Sequence, residues 1–504
     1  MQSFKTNQFC LILVWIAVLT TGLLLRLDRM ALPLLIEENW HLYSAASADW
    51  AEFFASAKVQ AHPPLFYLPG WIALQFGIDP QLARIGPMIF GMGFIWLAGL
   101  VVSRFVDDVW VGTAAGAMVA IMPIFVEIST EIRGYGLALC LLAIWLLNLI
   151  RSQPESWNFG RHLAVASLAL AASMAHYGAV FAVVAAYLVW LMNYFRRSGY
   201  QPKLTVLANT MPHLMAMAVP IYMATLHSKT VVPSLDYLSG YFYQGKLSDV
   251  ASIAQYFVSA HLLLLKPSGV WAVGVLLLVG ICCAIFGVMR RRQYRSKLLS
   301  LLAAAVLVDL MMWGASLFGL YPFSAWRHGV FSTALTVGFA AVGLGLVFKS
   351  FSRNWFSPAL VMLLLVLGWQ FLKIEPPNLR RDDFDFGKFF ELAGGRANGI
   401  VIDPLILAGL FAPVYDGERI KFYSDDQVPT VYRGQRFFRR SAASASEGLA
   451  NCMAVDPGCW LVDYGIVGQA QPEFAGSLAF GPPQMVMSGQ YDWLVIYAQL
   501  YRKS

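Results

Sequence analysis

Ten stretches of this chain contain no Asp, Glu, Lys or Arg: 6–25, 59–78, 85–103, 109–126, 134–150, 162–195, 204–228, 267–289, 328–348 and 354–372. Most are about 17 to 25 residues long, the length a helix needs to cross roughly 30 Å of hydrocarbon. The windows are apolar all round, whereas a helix on the surface of a soluble domain is apolar along one stripe. The run 162–195 is too long for one span and reads as two helices breaking near His176. One further span, enclosed by Lys297 and Arg327, contains a single charge, Asp309. Only 13% of the chain is charged, about half the usual share of a soluble domain. The expected fold is a polytopic α-helical membrane protein of about 11–13 transmembrane helices.

The N-terminal stretch has Lys5 ahead of its apolar run, as a secretory signal would. The run is too long for a signal and no small-residue cleavage site follows clearly, so it reads as the first transmembrane helix. The net charge of +7 is not a nucleic-acid signature, because it is concentrated in loops between spans. Arg290, Arg291, Arg292, Arg295 and Lys297 share one loop; Arg196, Arg197 and Lys203 another; Arg151 and Arg161 a third; Lys349 and Arg353 a fourth. Excess Lys and Arg marks cytoplasmic loops. Counting spans from the 290–297 loop places all four inside. It places Glu127–Arg133, His176, 227–267, Arg327 and everything after about 374 outside. Parity then requires either that His62–Gly77 be a short or re-entrant segment, which Pro63, Pro64 and Pro69 make credible because proline breaks helices, or that one span elsewhere be miscounted.

Residues 1–374 thus form a transmembrane domain with interfacial segments at 26–62 and 229–266, both rich in aromatic residues. From 375 to 504 charges return. Short apolar runs at Gly399–Ile402, Trp460–Asp463 and Trp493–Tyr497 read as strands, and Phe386–Leu392 as helix, which predicts a small extracytoplasmic α/β domain. Cys452 and Cys459 flank a Pro-Gly turn there, where a disulfide is compatible with an oxidising compartment. Cys10, Cys140, Cys282 and Cys283 lie in spans and read as packing residues.

Ionisable residues at a membrane are expensive and so are functional candidates. The predicted outside face gathers Glu37, Glu38, Lys58, His62, Arg84, Glu127, Glu131, Arg133, His176, Lys266, Arg327 and His328. Carboxylates can serve as general bases or hold a metal, and arginines can grip a phosphate. The plainer alternatives are a solvated Glu37–Glu38 pair, a Glu131–Arg133 pair at a helix end, and an Asp309 hydrogen-bonded to a neighbouring helix. His162 and His213 read as interfacial.

Three motifs carry a resemblance. An acidic pair, Glu37-Glu38-Asn-Trp-His-Leu-Tyr-Ser-Ala, follows the first helix. His62-Pro63-Pro64-Leu65-Phe66-Tyr67-Leu68 opens the next segment and is followed by Phe76-Gly77 and Arg84. Thr130-Glu131-Ile132-Arg133-Gly134-Tyr135 follows the helix ended by Pro123, with His176-Tyr177 and Arg327-His328 further on. In order and spacing these resemble the GT-C superfamily of polytopic glycosyltransferases. Within it they resemble the bacterial branch related to family 39 protein O-mannosyltransferases and lipid A aminoarabinose transferases. The likeness weakens after about residue 180, and Glu37 stands where that family usually has Asp.

The resemblance implies an inverting glycosyltransferase in the bacterial inner membrane, with an outside-facing site. Its partners would be a polyprenyl-phosphate sugar donor and a lipid, glycan or protein acceptor, without nucleic acid. Glu37 or Glu38 would activate the acceptor, with Glu131 the third carboxylate of the catalytic set. Arg133, with Arg84 or Arg327, would bind the lipid phosphate. Glu131 and His62 would order the site or help hold a divalent cation. Lys58, Tyr135, His176 and His328 complete the expected substrate-binding set. The competing readings are a lipid-linked glycan flippase or transporter, which would need charges along a mid-membrane path, and a scaffold whose tail binds a partner.

Overall fold

The computed structural model describes residues 2–30, 62–78, 80–151, 157–197, 204–231, 245–263, 271–290, 292–322 and 327–351, and parts of 38–54. In the tail it describes six strands and a few isolated residues. Glu37, Lys58, the apolar stretch 354–372 and the expected helix 386–392 lie outside the described residues.

The helices follow the charge-free stretches. They are α1 (Gln2–Met30), α2 (Leu68–Gln75), α3 (Ile85–Val106), α4 (Val109–Ile121), α5 (Pro123–Ile128), α6 (Tyr135–Arg151) and α7 (Phe159–Ala175). Then come α8 (Ala179–Arg197), α9 (Leu204–Val231), α10 (Val250–Leu263), α11 (Trp271–Arg290), α12 (Arg292–Leu317) and α13 (Val330–Phe351). Among the described residues, 8–27, 82–106 and 295–317 are helical stretches long and apolar enough to cross a membrane, and shorter apolar helices accompany them. Large apolar side chains face outward from the bundle: Phe9, Ile12, Ile16, Ile89, Trp96 and Leu310 are all exposed. An outer surface of this kind suits lipid rather than water.

Several boundaries have local causes. The 162–195 run breaks after Ala175 and resumes at Ala179, with His176 between the two helices. The 109–126 run does not stay one helix. Met122 is extended (ψ 126°) before Pro123, which starts α5 as its first residue, because proline disfavours the helical conformation in the residue before it. After Pro63 come a 3₁₀ turn at Pro64–Phe66 and the eight residues of α2, a helix of only about 12 Å. That is too short to cross the hydrocarbon. At the other end of α3, Asp107 adopts the left-handed conformation (φ 57°). Asp108 then caps α4, its carboxylate accepting from the Trp110 and Val111 amides.

Two compact units emerge. The first comprises Met1–Met30, Ser47–Gln75 and Leu82–Pro376. Its core is the α4–α5 segment, where Val111 through Ile128 are buried, packed among α1, α3 and α13. Asp309 of α12 accepts a hydrogen bond from the Ser332 hydroxyl of α13, the neighbouring-helix contact that was the plainer expectation. His162 and His213 differ from expectation. Both are buried, with Nδ1 of one 3.3 Å from Nε2 of the other. His162 lies in the first turn of α7 and His213 in the third turn of α9, each on the packed face of its helix.

The second unit comprises Ala31–Ala46, Phe76–Gln81 and Pro377–Ser504. It contains a six-stranded mixed sheet of order β2-β3-β1-β4-β6-β5. The strands are β1 (Gly399–Ile402), β2 (Thr430–Tyr432), β3 (Gln435–Arg439), β4 (Gly458–Ile466), β5 (Gln484–Ser488) and β6 (Leu494–Arg502). β1 pairs parallel with β3 and β4, while β4 and β6 form the long antiparallel ladder from Gly458↔Arg502 to Ile466↔Leu494. Cys452 and Cys459 form a disulfide at the start of β4.

Candidate active site

The break at Pro123 ends α4 and starts the short α5, and the turn between α5 and α6 carries the first charged cluster. Glu127 ends α5, and Glu131 and Arg133 lie in the turn before Tyr135. All three are buried. Arg327, 200 residues away, reaches the same point: its Nε is 3.0 Å from Glu127 Oε1 and its Nη2 is 3.4 Å from Glu131 Oε1. Arg133 Nε lies 3.2 Å from the other oxygen of Glu131. Two carboxylates and two guanidiniums therefore form one chain of ion pairs, Glu127–Arg327–Glu131–Arg133. Buried charges persist only when compensated in this way.

The turn is held from below by Arg26, at the end of the first uncharged stretch. Its side chain is fully buried and donates to the Ser129 hydroxyl (2.7 Å) and to the Gly22, Ala120 and Phe125 carbonyls. Arg26 thus ties the end of α1 to α4 and α5. The sequence signal was present, an arginine immediately after twenty uncharged residues, but its partners were not. Two glycines permit the approach. A Cβ at Gly91 would collide with Ser129, and one at Gly134 would stand 2.6 Å from Phe66 Cα and 2.8 Å from the Ala175 carbonyl oxygen.

A ring of aromatic and imidazole side chains adjoins the ion pairs. His176 lies with its ring centroid 4.4 Å from Tyr135, 5.6 Å from Phe66, 5.5 Å from His62 and 5.3 Å from Phe331. His62 stacks on Phe66 at 4.0 Å. Tyr321 donates to the His328 carbonyl (3.1 Å). Burial, reinforced by His62, His328 and Arg133, holds the His176 pKa well below the ordinary imidazole value. Burial and the guanidiniums of Arg133 and Arg327 bring His328 down to about 3. Both rings are therefore neutral near pH 7. His176 Nδ1 accepts from the Gly178 amide (2.9 Å), which assigns its proton to Nε2. That nitrogen is buried and has no hydrogen-bond partner among the described residues. It is an N–H donor with capacity for a ligand oxygen.

The structure therefore brings together Glu131, Arg133, Tyr135, His176, Arg327, His328 and His62, with Glu127 added. Arg84 is also buried, but its guanidinium donates to the carbonyls of Arg29 and Met30 (3.4 Å each) at the C-terminus of α1, a helix-capping position. Glu38 belongs to the second unit. It is helical and fully buried, as are His41, Leu42 and Ala45, the spacing of one face of an amphipathic helix. Glu38 is therefore not the solvated loop residue of the plainer reading. Glu37 and Lys58 fall outside the described residues.

A divalent cation does not fit the carboxylates of this cluster. Glu127 and Glu131 already face Arg327 and Arg133, whose positive charge opposes a second cation. Among the described residues no three His, Cys, Asp or Glu side chains group as a metal site.

No protein-family model and no curated protein matches the chain. Among solved structures it is similar to the Archaeoglobus fulgidus oligosaccharyltransferase in complex with zinc and sulfate. The TM-score is 0.42 and the identity 14%, covering 89% of this chain and 67% of that one. It is also similar to the AglB oligosaccharyltransferase of Archaeoglobus fulgidus in complex with an inhibitory peptide and dolichol-phosphate (TM-score 0.46, 12% identity, 81% of this chain and 64% of that one). A third is the same organism's oligosaccharyltransferase tethered to an acceptor peptide (TM-score 0.44, 11% identity, 90% and 69%). The chain spans about two thirds of the length of these structures.

Proposed function

We propose that this protein is a GT-C-type membrane glycosyltransferase that moves a sugar from a polyprenyl-phosphate donor to an acceptor on the extracytoplasmic side. The observation that carries the reading is the buried ion-pair chain Glu127–Arg327–Glu131–Arg133 at one end of a bundle of apolar helices. Its residues Glu131, Arg133 and Arg327 belong to motifs that resemble this superfamily. Opposite ends of the bundle are told apart by their contacts. The cluster joins the turn after α5, the α7–α8 break and the loop before α13, all outside by loop charge. Asp107 and Lys297 pair at the other end (2.6 Å), where the basic loop lies. The Cys452–Cys459 disulfide accords with an extracytoplasmic tail, and the strands of the tail are compatible with the α/β domain expected there.

The chemistry is a single displacement. A carboxylate takes the proton of the acceptor nucleophile as the acceptor attacks the anomeric carbon, a role assigned to Glu38 on the resemblance of its motif alone. The bond from that carbon to the phosphate oxygen breaks, and the configuration inverts. Negative charge then grows on the departing polyprenyl phosphate. Guanidinium forks match phosphate oxygens, and in a site sheltered from water they stabilise such charge strongly. Arg133 and Arg327 are assigned that role, with the Nε2–H of His176 as a neutral donor. Glu127 and Glu131 orient both arginines. No step is routed through a metal ion.

The test is release of polyprenyl phosphate from a panel of polyprenyl-phosphate sugars by the purified protein with membrane-derived acceptors. Arg133→Ala, Arg327→Ala and Glu38→Gln should each abolish it while the protein remains folded. Full turnover in all three would refute the assignment. Movement of intact lipid-linked sugar across vesicles, without release, would favour the transporter reading instead.

A further inference from the structure

At the end of the bundle opposite the ion-pair cluster lies a cavity of about 800 Å³ that the proposed chemistry does not use. It is bounded by α3, α4, α6, α8, α12 and α13, and its wall is mainly aliphatic and aromatic, for example Phe94, Leu142, Ala304 and Leu335. Along α6 the lining runs from Leu139 to Ile150, about 16 Å at the rise of an α-helix. That is close to the depth of one leaflet of a bilayer whose core is about 30 Å thick.

The polar residues of the lining are not scattered. Arg104 and Asp107 lie at the C-terminal end of α3, Asn193 near that of α8, and Ser296, Lys297 and Ser300 in the first turns of α12. All belong to the end of the bundle that carries the basic loop 290–297. Asn193 donates to the Ser300 hydroxyl (3.0 Å), and Lys297 pairs with Asp107. The mouth therefore has two cations, one anion and neutral donors, above a dry interior. A water-soluble ligand would leave the wall unsatisfied, and a neutral hydrocarbon would leave the mouth so. An amphiphile with a negative head satisfies both.

We propose that this cavity holds a phospholipid with an anionic headgroup, taken from the leaflet on the side of the basic loops. Its acyl chains occupy the space between α3, α6 and α12, and its phosphate lies at Arg104 and Lys297. The proposal concerns a site separate from the glycosyl-transfer cluster and stands or falls without it.

The experiment is native mass spectrometry of the full chain in detergent with equal amounts of dioleoylphosphatidylglycerol and dioleoylphosphatidylcholine. Wild type should retain the phosphatidylglycerol over the phosphatidylcholine by about fivefold or more, the preference expected for basic groups at a membrane surface. Ala304→Phe, which pushes a phenyl ring into the cavity, should weaken retention of both. Arg104→Gln with Lys297→Gln, both at the solvent-facing mouth, should leave the two lipids retained equally. If Ala304→Phe fails to fold, the mouth variant alone decides. Equal retention of both lipids by wild type, or no retention of either, overturns the proposal. So does an unchanged preference in the mouth variant.

Discussion

Arg327 Nε stands 3.0 Å from Glu127 Oε1 across 200 residues of chain, and the same guanidinium reaches Glu131. One arginine from the loop before α13 therefore closes the turn after α5. Glu127 and Glu131 are almost completely buried, and Arg327 is 14% exposed, so solvent compensates little for a missing partner.

Arg327→Ala should lower stability by about 3–5 kcal/mol, because it removes a cation that compensates two buried carboxylates. Arg327→Ala combined with Glu127→Gln should recover part of that loss but no transfer activity. Thermal unfolding in detergent and a transfer assay, run side by side, separate the two effects.

Glu38 is the carboxylate assigned as base on its motif, so Glu38→Gln should lower turnover by about 10²-fold or more, in the range of a lost general base. Glu37→Gln should have a much smaller effect. Steady-state transfer rates at saturating donor measure both, and a larger loss at Glu37 would reverse the assignment.

Gly134→Ala should destabilise the protein by about 1–3 kcal/mol, the usual penalty for overpacking. The new methyl would meet backbone atoms of Phe66 and Ala175, which cannot rotate away. The unfolding temperature should fall, whereas Gly314→Ala, where nothing lies within 4 Å of the new Cβ, should not lower it.

Acid should weaken the fold through the two neutral imidazoles. His328 has its pKa lowered to about 3 and His176 well below the ordinary value. Unfolded, each takes up a proton near pH 6.5 that the folded form refuses, so stability is full above 6.5. It falls as pH drops from there toward the folded values, by about 1.4 kcal/mol per pH unit for each histidine at most. Unfolding temperatures between pH 7 and 5 should show this slope, and His328→Gln should flatten it.

The Cys452–Cys459 disulfide closes a loop with a sequence separation of 7. Its removal should cost the tail about 2–3 kcal/mol on the loop-entropy account. Alkylation with and without reductant on protein from membranes should find both cysteines protected. Free thiols there would argue against an extracytoplasmic tail.

The sequence determined the helices, because a segment that spans lipid must be long, uncharged and internally hydrogen-bonded. That constraint is local, so it can be read from 6–25 or 85–103 one window at a time. The break at His176, the short helix after Pro63-Pro64 and the strand positions 399–402 and 460–463 were legible for similar reasons of local chemistry. The tertiary structure alone decided which charges meet. Nothing in the spacing joins Arg327 to Glu127, assigns Arg84 to the carbonyls at the end of α1, or binds Arg26 to Ser129. Nor could a sequence show His162 and His213 buried together, or a cavity opening beside Lys297. Such contacts depend on how helices distant in the chain rotate and pack, and that follows from the fit of many side chains at once rather than from any one of them.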